Sequence, residues 1–251
     1  MKQNRDKSDC TDAWVLGDLE RVGYLPRVWL APPELRELRR LVRYRHQKVA
    51  ERRSVKLRIR ALLRDQRIKL DVDATAWTKK WLESLQQVAG LGADSQWILQ
   101  QHLTDLERLE QDIRQVERRL EERVANDVIV TKLRQEKGIG LITAATMRAE
   151  IGRFDRFRSG KQLAHFCGLS PRNHSSGQRQ ADAGVSKTGN PELRALLVEA
   201  AQRLIRFDER WMKLAIKMRS QGKHSCVIVA AVANRYMRRL FHELQPENVA
   251  A

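Results

Sequence analysis

The sequence predicts a mainly α-helical protein, on three observations. Only 6% of its 251 residues are aromatic, and its 13 glycines and 6 prolines are few for a strand-rich sandwich. Leucine, alanine and charged residues, which favour helices, dominate the long segments. The balance of 42% hydrophobic and 31% charged residues is typical of a chain that folds rather than of a disordered one. At this length we expect one or two substantial hydrophobic cores.

The first predicted helix is short and begins after Ser8, which stands in the N-cap position. Asp9 and Asp12 lie in its first turns, and Gly23 ends it. Because the two aspartates are three residues apart, both carboxylates lie on one helix face and could hold one Mg²⁺ ion. Acidic residues also stabilise a helix N-terminus with no metal present, so a purely structural role is the alternative.

A strongly basic helix follows and starts at Pro32-Pro33-Glu34. Between residues 35 and 70 there are 14 Lys/Arg against 3 Asp/Glu, so this stretch contributes +11 of the formal net charge of +17. Apolar residues keep a partial helical period and predict an inward stripe of Leu35, Leu38, Val42, Val49, Ile59, Leu62 and Leu63. Seven cations are predicted to point outward as a phosphate-binding rod: Arg39, Arg40, Arg43, Arg52, Arg53, Lys56 and Arg60. A solvated helix face is the alternative.

The next long helix is predicted from residue 97 to about residue 135. Eight apolar residues recur along it at threes and fours, a spacing typical of a coiled-coil-like helix: Leu99, Leu103, Leu106, Leu109, Ile113, Val116, Leu120 and Val124. Its partner is either the basic helix of the same chain, which would give two long antiparallel arms, or the same helix in another subunit. Residues 71–95 contain Gly90, Gly92 and Asp94 and are predicted to form the turn between the arms.

Small residues and frequent glycines predict a compact helical domain after residue 136, with helices over residues 141–151, 191–206, 208–220 and 224–244. We therefore divide the chain into residues 1–70, 71–135 and 136–251. The segment Gly138-Ile139-Gly140 predicts a helix-hairpin-helix-like element, in which close backbone approach lets amides bind a phosphate. A glycine C-cap in a tight turn with no ligand is the alternative.

Two polar segments of this domain are further candidates for contact with phosphates. Ser175-Ser176-Gly177 is flanked by Arg172, His174 and Arg179, so a serine hydroxyl there would lie among cations that stabilise charge developing on phosphorus. A polar turn is the alternative. Further along, Lys187 and Asn190 belong to a segment that opens the helix beginning at Pro191.

The excess of cations indicates an anionic polymer, DNA or RNA, as the partner, because the isoelectric point of the sequence is about 10.4. Cys10, Cys167 and Cys226 are too scattered for a zinc site or a disulfide framework and are expected to be buried, reduced thiols. The longest apolar run, residues 226–233, is too short to span a membrane. No apolar signal core follows the charged N-terminus, so we expect a cytoplasmic protein.

Nine short motifs occur in an order that is more specific than any one of them. They are KSDCTDA (7–13), WLAP (29–32), LRELR (35–39), KLRIRALL (56–63), GIG (138–140), EIGRF (150–154), GLSP (168–171), SSG (175–177) and SKTGN (186–190). In this order the chain resembles the DEDD-type transposases of the insertion-sequence 110 family, from about residue 5 to about residue 243.

The resemblance implies an N-terminal RuvC-like nuclease domain in which Asp, Glu, Asp and Asp hold Mg²⁺, a coiled-coil insertion, and a C-terminal transposase domain with a nucleophilic serine. It also implies homo-oligomers, guidance by a structured non-coding RNA, and strand exchange through a covalent phosphoserine. Asp9 and Asp12 match the last two acids of the tetrad. Ser176 best matches the nucleophile, and Ser175 remains an alternative.

One departure from the family pattern concerns the metal site. The sequence begins just ahead of the third acid, so the first Asp and the Glu have no counterpart. We therefore expect a remnant of the RuvC-like domain and a transposase copy that is inactive alone, because half of the metal ligands are missing. The alternative function is that of a non-catalytic nucleic-acid-binding or coiled-coil partner that modulates full-length transposase.

Overall fold

The computed structural model describes residues 8–25, 28–70, 74–173, 182–186 and 188–249. Over these ranges the chain is mainly helical, as predicted. The helices are α1 (Asp9–Arg21), α2 (Pro33–Asp65), α3 (Lys79–Gln86), α4 (Ala93–Val124), α5 (Val128–Arg134), α6 (Leu141–Ile151), α7 (Gly160–Phe166), α8 (Pro191–Phe207), α9 (Glu209–Ser220), α10 (Ser225–Glu243) and α11 (Pro246–Val249). Strands β1 (Pro171–Asn173) and β2 (Asp182–Val185) pair as an antiparallel hairpin. The chain divides into one unit ending at Pro32 and a larger one starting at Pro33.

The first unit is built around α1, and its predicted start is confirmed. The Ser8 hydroxyl accepts a hydrogen bond from the Thr11 amide at 3.2 Å. Gly23, which follows the helix, has φ +71°, a conformation that glycine adopts easily. No side chain of α1 is buried, and Trp14 remains 67% exposed. The apolar residues of this helix are therefore left at the surface.

The second unit is organised by the packing of α2 against α4. The two helices run antiparallel, because Arg45 pairs with Glu117 at 2.7 Å while Lys48, further along α2, pairs with Asp112 at 3.2 Å. All eight apolar residues predicted along α4 are buried. On α2, the buried residues are Leu35, Leu38, Val42, Val55, Ile59 and Leu63. The apolar face of α4 is thus covered by the basic helix of the same chain.

The structure corrects two predicted boundaries. Helix α4 ends at Val124 instead of continuing to residue 135, because Asp127 caps a separate helix, α5, by accepting a hydrogen bond from the Val130 amide at 3.1 Å. The segment predicted as a plain turn between the arms contains α3. Thr78 caps α3, and the side chains of Trp81 and Leu85 are buried in the core between α2 and α4.

The rest of the second unit packs around α6, the most deeply buried helix of the chain. Its buried residues are Ala144, Ala145, Thr146, Met147, Ala149, Glu150 and Ile151. It contacts α2, α4, α5 and α8, and α8 in turn packs on α9 and α10. The basic helix α2 is therefore joined to the C-terminal core through α6. Among the described residues, no helix has the length and hydrophobicity required to cross a bilayer.

The prediction that all three cysteines are buried is correct for Cys167 alone. Cys10 and Cys226 are exposed, because they lie in the first turns of α1 and α10, where few neighbours cover them. Cys167 lies beyond the end of α7 in the core, and burial raises the pKa of its thiol to about 12. The three thiols should therefore differ widely in reactivity.

In the folded protein, a maleimide should modify Cys10 and Cys226 and leave Cys167 unmodified, because the buried thiol forms little thiolate and is shielded from the reagent. Intact-mass measurement should show two adducts under native conditions and three in concentrated guanidinium chloride. Peptide mapping assigns the sites. Rapid native modification of Cys167 would contradict the placement of this residue.

Candidate nucleic-acid interface

Two of the seven cations predicted to face phosphates are instead engaged with α6. Glu150 is only 6% exposed, and its carboxylate accepts hydrogen bonds from Arg43 at 2.9 and 3.1 Å. Arg39 donates to the carbonyl oxygen of Ala149 at 3.0 and 3.1 Å and lies 3.5 Å from the Glu150 carboxylate. The hydrogen bond to Glu150 raises the pKa of Arg43. Both arginines therefore hold α2 on α6 through hydrogen bonds to acceptors of this same protein.

Two further cations of this set pack on an aromatic ring. Lys56 Nζ lies 4.9 Å, and the Arg60 guanidinium carbon 5.3 Å, from the centre of the Trp77 ring. Burial, with a smaller contribution from neighbouring Arg52, lowers the pKa of Lys56. These contacts are worth roughly 0.5–1 kcal/mol each at exposed sites. They hold the segment before α3 against α2 and leave the outer edge of Arg60 exposed.

The remaining cations of α2 are the better candidates for contact with phosphates. Arg40 pairs with Glu37 one turn away, and Arg52 and Arg53 have no ion pair among the described residues. Arg58 and Arg64, which the sequence did not single out, are also exposed and unpaired within the described chain. The spacing of Arg53, Arg60 and Arg64 along one helix face was the signal that could have identified Arg64, whereas Arg58 does not share this face. The rod prediction thus applies mainly to the second half of α2.

The glycine turn between α5 and α6 has a structural reason at its first glycine. Gly138 has φ +86°, and a Cβ at this position would lie 2.8 Å from the Arg203 Cβ of α8. The Ile139 side chain is buried. Gly140 caps α6 in an extended conformation, without a side-chain hydrogen bond and with open space around it. The turn therefore fixes α8 on one side and leaves the α6 amides accessible on the other.

A groove of about 720 Å³ opens beside this turn, between α2, α6 and α8. Its charged lining residues are Arg45, His46, Arg53, Glu117, Glu192, Glu199 and Arg203. Arg45 pairs with Glu117 at 2.7 Å, and His46 Nδ1 lies 2.9 Å from the Glu192 carboxylate. Because the acids offset most of the cations, the groove is less suited to a polyanion than the outer face of α2.

The predicted serine nucleophiles belong to the connection of the β hairpin. Asn173 of β1 is paired with Asp182 of β2, so residues 174–181 join the two strands. Ser175, Ser176, His174, Arg179 and Lys187 lie outside the described residues. Arg172, at the base of the hairpin, donates two hydrogen bonds to the Ser186 carbonyl oxygen at 2.8 and 3.1 Å. This arginine therefore braces the two strands.

A close approach of two glycine turns anchors the end of this hairpin. Gly168 and Gly189 have φ +69° and +77°, and a Cβ on either would collide with a backbone oxygen of the other turn's segment. Arg194 donates to the Thr188 carbonyl oxygen at 3.2 Å. Asn190, a predicted phosphate contact, uses its side-chain oxygen to accept hydrogen bonds from the first amides of α8. The segment that follows β2 thus packs against the end of α7 and leads into α8.

Asp9 and Asp12 do not form a metal site with the residues described. Both are in the first turn of α1, where their carboxylates favour the positive end of the helix dipole. Within the described ranges, no cluster of three or more His, Cys, Asp or Glu side chains could hold a metal ion. Two exposed carboxylates are fewer ligands than a divalent cation takes in such centres.

Comparison with known proteins identifies the class of protein as a transposase. A family profile described as "Transposase IS116/IS110/IS902 family" matches residues 130–217, and a DEDD-type IS110 profile described as "Transposase" matches residues 1–67. The chain belongs to the IS110 family of transposases. Membership of this family implies DNA as a partner and, in general, the use of a divalent metal.

The curated relatives are bacterial. The chain is 28% identical to a "Probable family 20 transposase" of Pseudomonas aeruginosa over 96% of this chain and 73% of that protein. It is 27% identical to the transposase for insertion sequence element IS1111A of Coxiella burnetii over 90% of this chain and 64% of that protein. A pilin gene-inverting protein of Moraxella bovis is 32% identical over 40% of this chain and 32% of its own length. The chain thus spans about two thirds of the IS1111A transposase.

Replacing Glu150 by Gln should lower the free energy of unfolding by about 1–3 kcal/mol, because Arg39 and Arg43 lose a charged acceptor. The half-exposed position of Arg43 keeps the loss below that of a fully buried pair. Urea unfolding measures this change in the free energy of unfolding. Glu107→Gln, which removes an exposed and unpaired carboxylate from α4, is the matched control and should change stability by less than about 0.5 kcal/mol. Equal effects of the two substitutions would contradict the role of Glu150.

Proposed function

We propose that this chain binds the DNA of an insertion sequence and takes part in its cleavage and strand exchange through a serine nucleophile. The observation that carries this proposal is the hairpin of β1 and β2, which lies within the segment matched by the transposase profile. Its connection contains Ser175 and Ser176, and Arg172 braces its base. The similarity to a pilin gene-inverting protein supports a recombination reaction rather than hydrolysis alone.

In this proposal, Ser176 is the nucleophile and Ser175 is the alternative. The hydroxyl oxygen attacks phosphorus, the bond from phosphorus to the deoxyribose oxygen breaks, and that oxygen leaves with a proton. The DNA strand is then held as a phosphoserine ester, which a hydroxyl of a second strand attacks to restore the serine. Arg179 and Lys187, which follow the serines in the sequence, are the candidates for stabilising the charge that develops on phosphorus.

DNA binding is assigned mainly to the second half of α2. Arg53, Arg58 and Arg64 are exposed on a helix fixed by its packing on α4 and α6, and they have no acidic partner in the described chain. Each phosphate contact of this kind releases condensed counterions from the DNA. Gly140 and the first amides of α6 are a second, weaker candidate, because the groove beside them also contains acids.

The same proposal includes a Mg²⁺ ion, a guide RNA and a homo-oligomer in the bacterial cytoplasm. Asp9 and Asp12 would supply two of the Mg²⁺ ligands, together with acids that the described residues do not provide. A homo-oligomer would use a surface other than the apolar face of α4, because the eight side chains of that face are covered within the chain.

A second candidate function is that of a non-catalytic partner of full-length transposase. It is favoured by the exposed apolar side chains of α1 and by the fact that no further carboxylate among the described residues joins Asp9 and Asp12 in a cluster that could hold a metal ion. A pull-down with an intact relative discriminates the two functions. Stable capture combined with no strand cleavage by the mixture supports the second function.

The logarithm of the affinity for duplex DNA should fall linearly with the logarithm of the salt concentration. Replacing Arg53 and Arg64 by Ala should make the slope shallower by roughly 2, since each phosphate contact contributes about 0.9. Fluorescence anisotropy provides the titration. Replacing Arg210 and Lys217 of α9 by Ala removes the same charge from another exposed helix and should change the slope little. If the affinity of the unmodified protein did not change with the salt concentration, the second half of α2 would be ruled out as a phosphate-binding surface.

Ser176→Ala should abolish a covalent protein–DNA adduct, because in this proposal the Ser176 hydroxyl oxygen is the atom that forms the ester with phosphorus. Because the chain is expected to be inactive alone, it is incubated with insertion-sequence DNA, Mg²⁺ and a full-length relative of different mass, and denaturing gel electrophoresis detects the adduct of this chain. Ser175→Ala is the matched control and should retain it. Loss in Ser175→Ala alone would transfer the role to Ser175, and no adduct with the unmodified chain would favour the non-catalytic function.

A further inference from the structure

A second basic surface lies on one side of the α2–α4 pair, closer to the start of α2 than the rod. It is a groove of about 480 Å³ lined by Glu37, Arg40, Leu41, Tyr44, Arg119 and Arg123. Tyr44 is 45% exposed, so its ring is accessible to a ligand. The groove therefore combines an accessible aromatic ring with three guanidinium groups.

The charges of this groove are not neutralised by acidic partners as those of Arg43 and Arg45 are. Arg119 and Arg123 are exposed and have no ion pair among the described residues. Arg40 pairs with Glu37, the one acid among the lining residues. Three cations against one acid leave the groove positive. An anionic ligand bound in the groove would neutralise this positive charge.

The opposite side of α4 provides a comparison. Arg114 and Arg118 are also exposed and one turn apart, but Glu117 and Glu121 line the same surface, and Glu117 pairs with Arg45 at 2.7 Å. No aromatic side chain lies among the residues lining that surface. The two sides of α4 thus carry similar arginine pairs, and only one side adds an aromatic ring and a surplus of positive charge.

The arrangement of the arginines and Tyr44 in this groove is suited to binding a single-stranded nucleic acid. Arg40 and Tyr44 are one turn apart on α2, as are Arg119 and Arg123 on α4, so neighbouring side chains are about 5–6 Å apart at their bases. Lys48 Nζ lies 5.4 Å from the Tyr44 ring centre and helps to hold the ring against α2. Proteins that bind single strands place bases on aromatic rings and backbone phosphates on surrounding cations. The bases of a duplex are stacked inside it and cannot lie on a tyrosine ring.

We propose that this groove binds a single-stranded polynucleotide, with a base stacked on Tyr44 and the adjoining phosphates contacted by Arg119 and Arg123. This assignment rests on the proposed nucleic-acid-binding function, and it adds a second site, a strand type and the residues that recognise it. Arg40, which pairs with Glu37, is the third cation among the lining residues. The rod on the second half of α2 remains the site for duplex DNA.

The test uses the full chain and fluorescent 12-nucleotide oligo(dT), oligo(U) and a duplex of the same length. Replacing Arg119 and Arg123 by Ala should weaken single-strand binding about tenfold and make the salt slope shallower by roughly 1.4, at about 0.7 for each phosphate contact. The matched control replaces Arg114 and Arg118 by Ala and should weaken binding less than about twofold. The affinity for duplex should change little in either variant.

The stacking contact is tested by two substitutions at one position. Tyr44→Leu keeps an apolar side chain but removes the ring, and it should weaken single-strand binding about fivefold or more. Tyr44→Phe keeps the ring and should bind like the unmodified protein. Circular dichroism melting of every variant establishes that the fold is retained. If Leu and Phe behave alike, base stacking on Tyr44 is ruled out.

The outcomes separate this inference from the proposed function. Equal losses in the two arginine-pair variants would show a general charge effect and overturn the groove, while the transposase proposal would stand. Binding of the duplex with no measurable affinity for either single-stranded oligonucleotide would also overturn the groove and leave the transposase proposal standing. Failure of the unmodified chain to bind any of the three probes would overturn both. A preference for oligo(U) over oligo(dT) assigns the groove to RNA, and the reverse preference assigns it to DNA.

Discussion

The packing of α2 against α4 is the interaction on which the rest of this structure depends. Helix α2 carries 12 Lys/Arg against 4 Asp/Glu, close to half of the chain's net charge of +17, and its neighbouring cations repel one another. Burying a large apolar side chain contributes about 1.5–3 kcal/mol, whereas an exposed ion pair contributes about 0–1 kcal/mol. The apolar stripe, from Leu35 to Leu63, therefore holds α2 in place. The ion pairs with Glu117 and Asp112 chiefly align the two helices.

Once α2 is fixed, the residues that lie opposite each of its cations determine what that cation does. Arg39 and Arg43 face the buried Glu150 of α6, and Lys56 and Arg60 pack on Trp77. The cations left over, such as Arg53, face solvent without an acidic partner in the described chain. The repulsion among these spare charges is a cost that only an anionic partner removes. The cations of this one helix thus divide into those held by contacts within the chain and those left facing solvent.

Periodicity predicted the core of this structure well and the use of its charges poorly. All eight apolar positions of α4 follow from a spacing of three and four, because that spacing is local. The choice of Arg39 and Arg43 as phosphate contacts was not supported by their position, since their partner Glu150 lies more than 100 residues away in the sequence. The end of α4 was misplaced for a similar reason. Asp127 caps α5 and pairs with Arg148 at 2.6 Å, and neither contact has a periodic signal.

The candidate catalytic hairpin and the basic helix belong to one packed unit, which bears on how binding and chemistry are coupled. Asn190 begins α8 directly after the clamped turn at Gly189, and Glu192, in the first turn of α8, lies 2.9 Å from His46 of α2. The same α2 is held on α6 by Glu150, and α6 packs on α8. A polynucleotide bound to α2, as proposed, would therefore be held in a fixed position relative to the base of the β1–β2 hairpin. The sequence around Ser176 does not reveal this link, because it depends on contacts between helices that are far apart along the chain.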